Sequence, residues 1–349
     1  MPLPKQHEVD VWNRALARVG DIRLALEASI AVTSVSAATP PLVTSAAHGY
    51  AVGDRVLLFD MTGGVELNGR VFVVGSVPLA TTFTLLRESG LAGDAATGGF
   101  CARLPNTKAV RSCFDAWPEV RDEVIRSHAW NSTTRRTRLA RLQAATTITG
   151  VTQANPAVVT TSAPHGYSVG DQVLIEGVVG MTELNGRYFT ISAVPLATTF
   201  ALSGEDASTY AAWSSAGTAK KVLAPFKPDF GYAYRYDQPT ACLRVLELAD
   251  DPTYLWELEG REVLTDAGPT VPVRYCKRIT DPDLWDAQLS NVLAARLAFE
   301  IVEELTQSRT KKELILSDLN AMMTEARRQD AQEQSPMEFA EDSWVTARL

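Results

Sequence analysis

Histidines, cysteines and paired carboxylates are the side chains here whose chemistry reaches beyond packing, and they are few and scattered. The 349 residues include four histidines and four cysteines. His48 and His165 each precede Gly-Tyr. Neither has a second ligand at a metal-binding spacing, so each ring is expected to bond a nearby backbone group. Cys101, Cys113, Cys242 and Cys276 form no Cys-x-x-Cys pair, which argues against a zinc site or a disulfide scaffold and fits a reducing compartment. Cys113 falls on the apolar face of a predicted helix and is expected in the core. Asp250-Asp251 and Glu303-Glu304 are adjacent carboxylates of the kind that protein surfaces carry. No Gly-x-x-x-x-Gly-Lys, His-Glu-x-x-His or Gly-x-Ser-x-Gly occurs. The expectation is a protein that is not an enzyme, with no catalytic residue, no metal and no cofactor.

Charge gives two candidate contact segments. The net charge is −8, but residues 281–349 carry 14 acidic and 7 basic side chains, whereas residues 105–146 carry 8 basic and 4 acidic. An acidic chain of this kind is not an electrostatic nucleic-acid binder as a whole. Arg135, Arg136, Arg138 and Arg141 form a basic strip. It reads either as a solvated strand edge paired with acidic neighbours, or as a contact with a partner subunit or DNA phosphate. The terminal Asp342-Ser-Trp-Val-Thr-Ala-Arg348 combines an aromatic with an arginine, a composition typical of interface anchors.

An internal repeat sets the architecture. His48-Gly-Tyr-Ala-Val-Gly-Asp-Arg-Val recurs as His165-Gly-Tyr-Ser-Val-Gly-Asp-Gln-Val, and Glu66-Leu-Asn-Gly-Arg recurs as Glu183-Leu-Asn-Gly-Arg, both at an offset of 117. Between His48 and Leu85, 23 of 38 positions are identical in the second copy. Both copies read as β, with strands at 56–59 and 173–175 after the turns Gly53-Asp54 and Gly170-Asp171. Asn68-Gly69 and Asn185-Gly186 are strong tight-turn signals, because both residues tolerate φ > 0. Each copy has the size and strand content of a small barrel.

The remaining chain is expected to be one host domain with the two β units inserted into its loops. Val9, Trp12, Leu16 and Val19 lie on one face of a first helix that Gly20 caps. A second helix is predicted over 108–128, kinked or restarted at Pro118. Strands at 241–248, 254–259, 261–264 and 271–279 read as an antiparallel meander with a turn at Glu259-Gly260. Asp281 is expected to cap a long helix with Pro282 at its first position. Trp285, Leu289, Leu293, Leu297, Ile301 and Leu305 form its buried row. Another helix over 311–332 would pair with it as a hairpin, with Ile315, Leu319, Met322 and Ala326 facing inward.

The fold class is therefore α+β: a helical domain with a small antiparallel sheet, plus two homologous all-β, barrel-like inserts. The expected segments are 1–30 (helix), 31–104 (first β unit), 105–146 (helix and basic strip), 147–222 (second β unit), 223–334 (meander and helical hairpin) and 335–349 (extended tail). The composition, 46 % hydrophobic and 21 % charged, is ordinary for a soluble protein of two or three domains. No apolar run approaches the ~20 residues that span a bilayer, so no membrane association is expected. The opening Met1-Pro-Leu-Pro-Lys-Gln-His lacks the layout of a signal peptide.

With the β units set aside, a sequence of motifs remains. Ala15-Leu-Ala-Arg-Val-Gly-Asp is followed by Ala116-Trp-Pro-Glu-Val-Arg-Asp-Glu-Val-Ile-Arg-Ser-His-Ala-Trp-Asn131. Phe230-Gly-Tyr-Ala-Tyr-Arg-Tyr-Asp, Glu259-Gly-Arg-Glu-Val-Leu-Thr-Asp266 and Arg274-Tyr-Cys-Lys-Arg-Ile-Thr-Asp281 come next, before the long helix and acidic end. This order resembles the tail tubular protein A-like head-to-tail adaptors (connectors) of tailed bacteriophages. The β units resemble a module common in phage tail and neck proteins. That module is similar to the first catalytic cysteine half-domain of ubiquitin-activating enzymes, but the two units share no cysteine position and carry no nucleotide motif, so the similarity implies no enzymatic activity here. Compact adaptors lack such inserts.

The adaptor resemblance implies a structural virion protein, assembled in the host cytoplasm and located at the neck of the particle. It implies a homo-oligomeric ring, a dodecamer, that binds the portal protein and tail or nozzle proteins. Genomic DNA would pass through the channel during ejection without sequence-specific contact. Trp344, Val345, Arg348 and Leu349 are then the expected portal-binding tail, and Arg135, Arg136, Arg138 and Arg141 the expected subunit or phosphate contact. An alternative is a neck or tail decoration protein whose twin β modules bind a glycan or host surface; Tyr50 and Tyr167 are the equivalent aromatic pair near a turn.

Overall fold

The computed structural model describes residues 7–86, 96–248 and 254–333. The chain forms two units, one of residues 1–135, 241–246 and 275–349 and the other of residues 136–240 and 247–274. The fold is α+β, and each unit holds one closed six-stranded β-barrel.

The helices of the first unit follow the apolar spacing. α1 (Glu8–Val19) starts where the His7 backbone N–H donates to Asp10 Oδ2 at 3.0 Å, and it buries Val9, Trp12, Leu16 and Val19. Gly20 closes it at φ 81°, a left-handed conformation that lacks a Cβ penalty only for glycine. α2 (Lys108–Ser127) is capped by Thr107 and is continuous through Pro118, so the helix does not restart there. Phe114, Trp117, Val120 and Val124 are buried on both sides of the proline, and that packing offsets the one hydrogen bond it removes.

The long helix starts later than expected. Asp281 caps only a single 3-10 turn, Pro282–Leu284, and the chain then extends at Trp285. Asp286 provides the second cap, accepting from Leu289 N at 2.7 Å, and α3 (Ala287–Thr306) follows. Trp285 thus precedes the helix, yet it is buried, with its ring 5.7 Å from that of Trp117. Leu289, Leu293, Leu297 and Ile301 make the buried row of α3. α4 (Arg309–Gln332), capped by Ser308, buries Ile315, Leu319 and Ala326. α1, α2 and α4 all pack on α3. Among the described residues, no helix is long and apolar enough to cross a membrane.

The first barrel comprises β1 (Ile30–Val35), β2 (Leu42–Ser45), β3 (Arg55–Phe59), β4 (Arg70–Leu79), β5 (Thr82–Leu86), β6 (Ala96–Thr97) and β7 (Phe100–Arg103). The order β2-β5-β4-β3-β7-β1 closes by pairing β1 with β2, and β6 adds to β1. Register shifts bend the ten-residue β4 around the barrel. Val56, Leu58, Phe72 and Phe83 fill the interior. Leu57 and Val71 point the other way and join the core that α1, α2 and α3 share.

Beyond α2 come β8 (Thr134–Leu139) and β9 (Arg141–Leu142), then the second barrel: β10 (Thr146–Val151), β11 (Val158–Thr161), β12 (Gln172–Glu176), β13 (Arg187–Leu196), β14 (Thr199–Leu202) and β15 (Thr218–Leu223). Its order, β10-β11-β14-β13-β12-β15, closes by pairing β15 with β10. Val173, Ile175, Phe189 and Phe200 fill a core of their own. Both Asn-Gly pairs form turns, as expected. Only the glycines are left-handed, Gly69 at φ 69° and Gly186 at φ 72°, while Asn185 is extended at φ −67°. The asparagine side chain instead braces the preceding loop. Asn68 Oδ1 accepts from Met61 N at 3.1 Å, and Asn185 holds both the N–H and the C=O of Val178 at 2.8 Å.

The expected meander is also corrected. β16 (Tyr234–Asp237), β17 (Cys242–Leu248), β18 (Trp256–Glu259), β19 (Glu262–Thr265) and β20 (Val271–Lys277) follow the second barrel. β18 and β19 form the hairpin at Gly260, but their third partner is β16, a strand the pattern did not predict. β17 and β20 belong to a separate sheet with β8.

Candidate functional site

The two repeat histidines are structural. Tyr50 N donates to His48 Nδ1 at 3.0 Å, and Tyr167 N donates to His165 Nδ1 at 2.9 Å. Each ring is buried, 4.9 or 4.5 Å from its tyrosine and edge-on to Phe83 or Phe200. An Nδ1 that accepts fixes the neutral tautomer with the proton on Nε2. Tyr50 and Tyr167 are buried too, which corrects their expected role as an exposed aromatic pair. Their hydroxyls turn inward, to Cys101 Sγ at 3.4 Å and Ala219 O at 3.0 Å, and burial pushes both phenols above their ordinary pKa. The T-shaped contacts with Phe83 and Phe200 make these rings barrel core.

The other titratable candidates do not converge. Asp250 and Asp251 lie outside the described residues. Glu303 pairs with Lys312 at 2.6 Å, and that partner holds its carboxyl below the ordinary range. Cys113 is buried on α2, and burial pushes its thiol up to about 12, far from the thiolate a nucleophile needs. Among the described residues, no three His, Cys, Asp or Glu side chains gather as a metal site would require.

One buried carboxylate was missed by the motif search. Glu8, in the first turn of α1, accepts from Val71 N at 2.9 Å and from Trp117 Nε1 at 2.7 Å. Its own backbone N–H donates to Gly69 O at 2.8 Å. Burial pushes its carboxyl up, against the opposing pull of Arg70, the Val71 N–H, Arg121 and Trp117. A cavity of about 440 Å³, lined by Arg70, Phe114, Trp117 and Arg121, adjoins it. The signal was present: residues 8, 12, 15 and 19 share one helical face, so the carboxylate stands on the apolar stripe.

The basic strip is divided rather than acting as one patch. Arg135 is half-buried and donates to the carbonyls of Ser132 and Thr134, both at 2.8 Å. Arg141 is exposed, with its guanidinium 3.9 Å from the centre of the Phe226 ring and a hydrogen bond to Ala224 O. Arg136 and Arg138 are exposed and line a groove of about 780 Å³ against Gln172, Glu176, Arg187 and Tyr188 of the second barrel. Among the described residues none of the four strip arginines pairs with a carboxylate, whereas Lys220 neutralises Glu176 at 2.6 Å. Arg187 is held by Glu205 through two bonds, at 2.6 and 2.8 Å. Arg135 falls on the opposite face of β8 from Arg136 and Arg138, and Arg141 lies in β9. Trp344, Val345, Arg348 and Leu349 lie outside the described residues.

Among the described residues this arrangement offers a concave surface that bears Arg136 and Arg138. Comparison with known proteins adds one match. Residues 154–223, from just before β11 to the end of β15, match the ubiquitin-activating enzyme E1 FCCH domain family. The matched stretch contains no cysteine. No curated protein sequence matches the chain.

Proposed function

We propose that this chain is a structural head-to-tail adaptor of a tailed bacteriophage, a ring-forming neck protein that carries two β-barrels as appended modules. The observation that carries the reading is the way the helical framework is assembled. α1, α2 and the α3–α4 pair come from distant parts of the chain and share one core, with the first barrel inserted between α1 and α2. The motifs resembling the adaptor family fall on that framework and on the strands that follow the second barrel. The E1 FCCH match supports the second barrel as a mobile module rather than as the heart of the protein.

In this reading the ring, of twelve copies, sits between portal and tail, and DNA passes through its channel without sequence-specific contact. The acidic excess of residues 281–349, multiplied around the ring, would repel DNA and let it slide. The terminal Trp344, Val345, Arg348 and Leu349 would engage the portal. Immunogold electron microscopy with an antibody to one barrel, applied to purified phage particles that encode the chain, tests the assignment. Label between capsid and tail is expected. Label at the distal tail would favour a surface-binding role, and absence of the chain from particle mass spectra would exclude a virion protein.

A further inference from the structure

The two barrels are close copies, but the same outer face meets different fates. In the first barrel the stretch Gly69–Arg70–Val71 is covered by α1. Glu8 N donates to Gly69 O at 2.8 Å, and Val71 N donates to Glu8 Oε2 at 2.9 Å. Gly69 and Val71 are buried as a result. The equivalent stretch of the second barrel is Gly186–Arg187–Tyr188, where Gly186 is exposed and Tyr188 half-buried.

The main-chain groups of this second stretch point the same way. Ser203 N donates to Thr190 O at 2.8 Å, so Thr190 turns its carbonyl away from β12. Tyr188, two residues along the same strand, presents its N–H on that side as well. No hydrogen bond to the Tyr188 N–H or the Gly186 C=O is present among the described residues. Gly186 and Tyr188 line the same groove as Arg136 and Arg138. The charges agree with the precedent: Arg70 and Arg121 act on Glu8 beside the first barrel, while Arg136 and Arg138, beside the second, have no carboxylate partner among the described residues.

We infer that this groove receives the first turn of an α-helix from another polypeptide, one that carries a Glu or Asp at its start, in the manner of Glu8 on the first barrel. The helix-start N–H would donate to Gly186 O, its carboxylate would accept from Tyr188 N, and Arg136 and Arg138 would compensate the charge. A polypeptide fits better than a nucleic acid. A phosphate offers only acceptors and would leave the Gly186 carbonyl unmatched. The inference does not depend on the adaptor reading.

The test uses the full-length chain and a fluorescein-labelled peptide of residues 7–20, stapled between positions 14 and 18, which are exposed on α1. Saturable binding by fluorescence anisotropy is expected. R136E/R138E in the chain, at exposed positions that leave the melting curve unchanged, should weaken it at least tenfold. Glu8→Gln in the peptide should do the same, and the Tyr188 amide resonance of ¹⁵N-labelled chain should shift on titration. Absence of saturable binding, or binding that either substitution leaves unchanged, overturns the inference. So does binding of a 20-base-pair duplex, but not of the peptide, that R136E/R138E abolishes, because the groove is then a phosphate site.

Discussion

The indole N–H of Trp117 donates to the carboxylate of Glu8 at 2.7 Å, across 109 positions of chain that include the whole first barrel. The other oxygen of the same carboxylate takes the Val71 N–H from that barrel. One side chain therefore ties α1, α2 and the barrel together. Replacing it leaves two buried donors unmatched, at about 1–3 kcal/mol each. Glu8→Ala should cost the first unit about 3–5 kcal/mol in urea unfolding followed by tryptophan fluorescence. Glu8→Gln should also destabilise, because the amide nitrogen cannot accept either bond.

Leu293 is fully buried at the centre of α3, where the other helices meet. Leu293→Asp places an unpaired charge there and should destabilise the first unit by more than about 4 kcal/mol. Far-UV circular dichroism would show a loss of helix. A variant with wild-type helicity and an unchanged melting curve would mean that α3 is not the spine.

The barrels should differ when excised. Leu57 and Val71 of the first barrel belong to the helical core, while the second barrel keeps a core of its own. Replacing residues 31–104 with a short Gly-Ser linker should lower the melting temperature of the remaining helices, because the apolar face around Val9 and Val110 loses its cover. Replacing residues 147–222 should leave helix content per helical residue unchanged by circular dichroism.

The asparagine braces predict an asymmetry between the copies. Asn185 satisfies two groups of Val178, whereas Asn68 satisfies the Met61 N–H. Asn185→Ala should destabilise its barrel by about 1–3 kcal/mol, and more than Asn68→Ala does its own. Urea unfolding of the two single variants, compared with the parent chain, measures both.

Glu205 gives the second barrel a pH dependence of definite sign. Burial pushes its carboxyl up, but hydrogen bonds from Arg187 and Tyr210 outweigh it and hold the group below its ordinary 4.5. The stabilisation is complete above pH 4.5 and is lost as pH falls through the lowered value. Acid should therefore loosen this barrel, and Glu205→Gln should weaken it at neutral pH while flattening the acid limb. Thermal melts across pH 3 to 7 test both.

The barrels were legible because the sequence states them twice, and the helices because Trp12, Leu16, Leu289 and Leu293 fall on apolar rows. The start of α3 was misplaced because Asp281 and Asp286 are both good caps, and extended backbone at Trp285 decides between them. β16 was missed because Tyr234–Asp237 is only four residues long, and its partner β19 lies more than 20 residues further on. The groove was harder still. Arg136 and Arg138 were visible as charges, but Tyr188 and Gly186 meet them only in the folded chain. The contrast with the first barrel depends on α1, whose Glu8 bonds Gly69 and Val71 there.

The strand that enters each barrel pairs with the strand that leaves it, Ile30 opposite Cys101 and Thr146 opposite Ala219. Such partners sit about 5 Å apart. A recipient loop therefore has to open by little more than the width of one peptide pair, however long the inserted sequence is. Closure also pairs each of the six barrel strands on both sides, so that only the short added strands β6 and β9 end a sheet. A module with those two properties can be gained, duplicated or lost between one generation of a protein and the next while the recipient keeps its own packing, and the differing fates of the two copies here show what happens afterwards. One has been drawn into the recipient's core through Leu57 and Val71, and the other fills a core of its own.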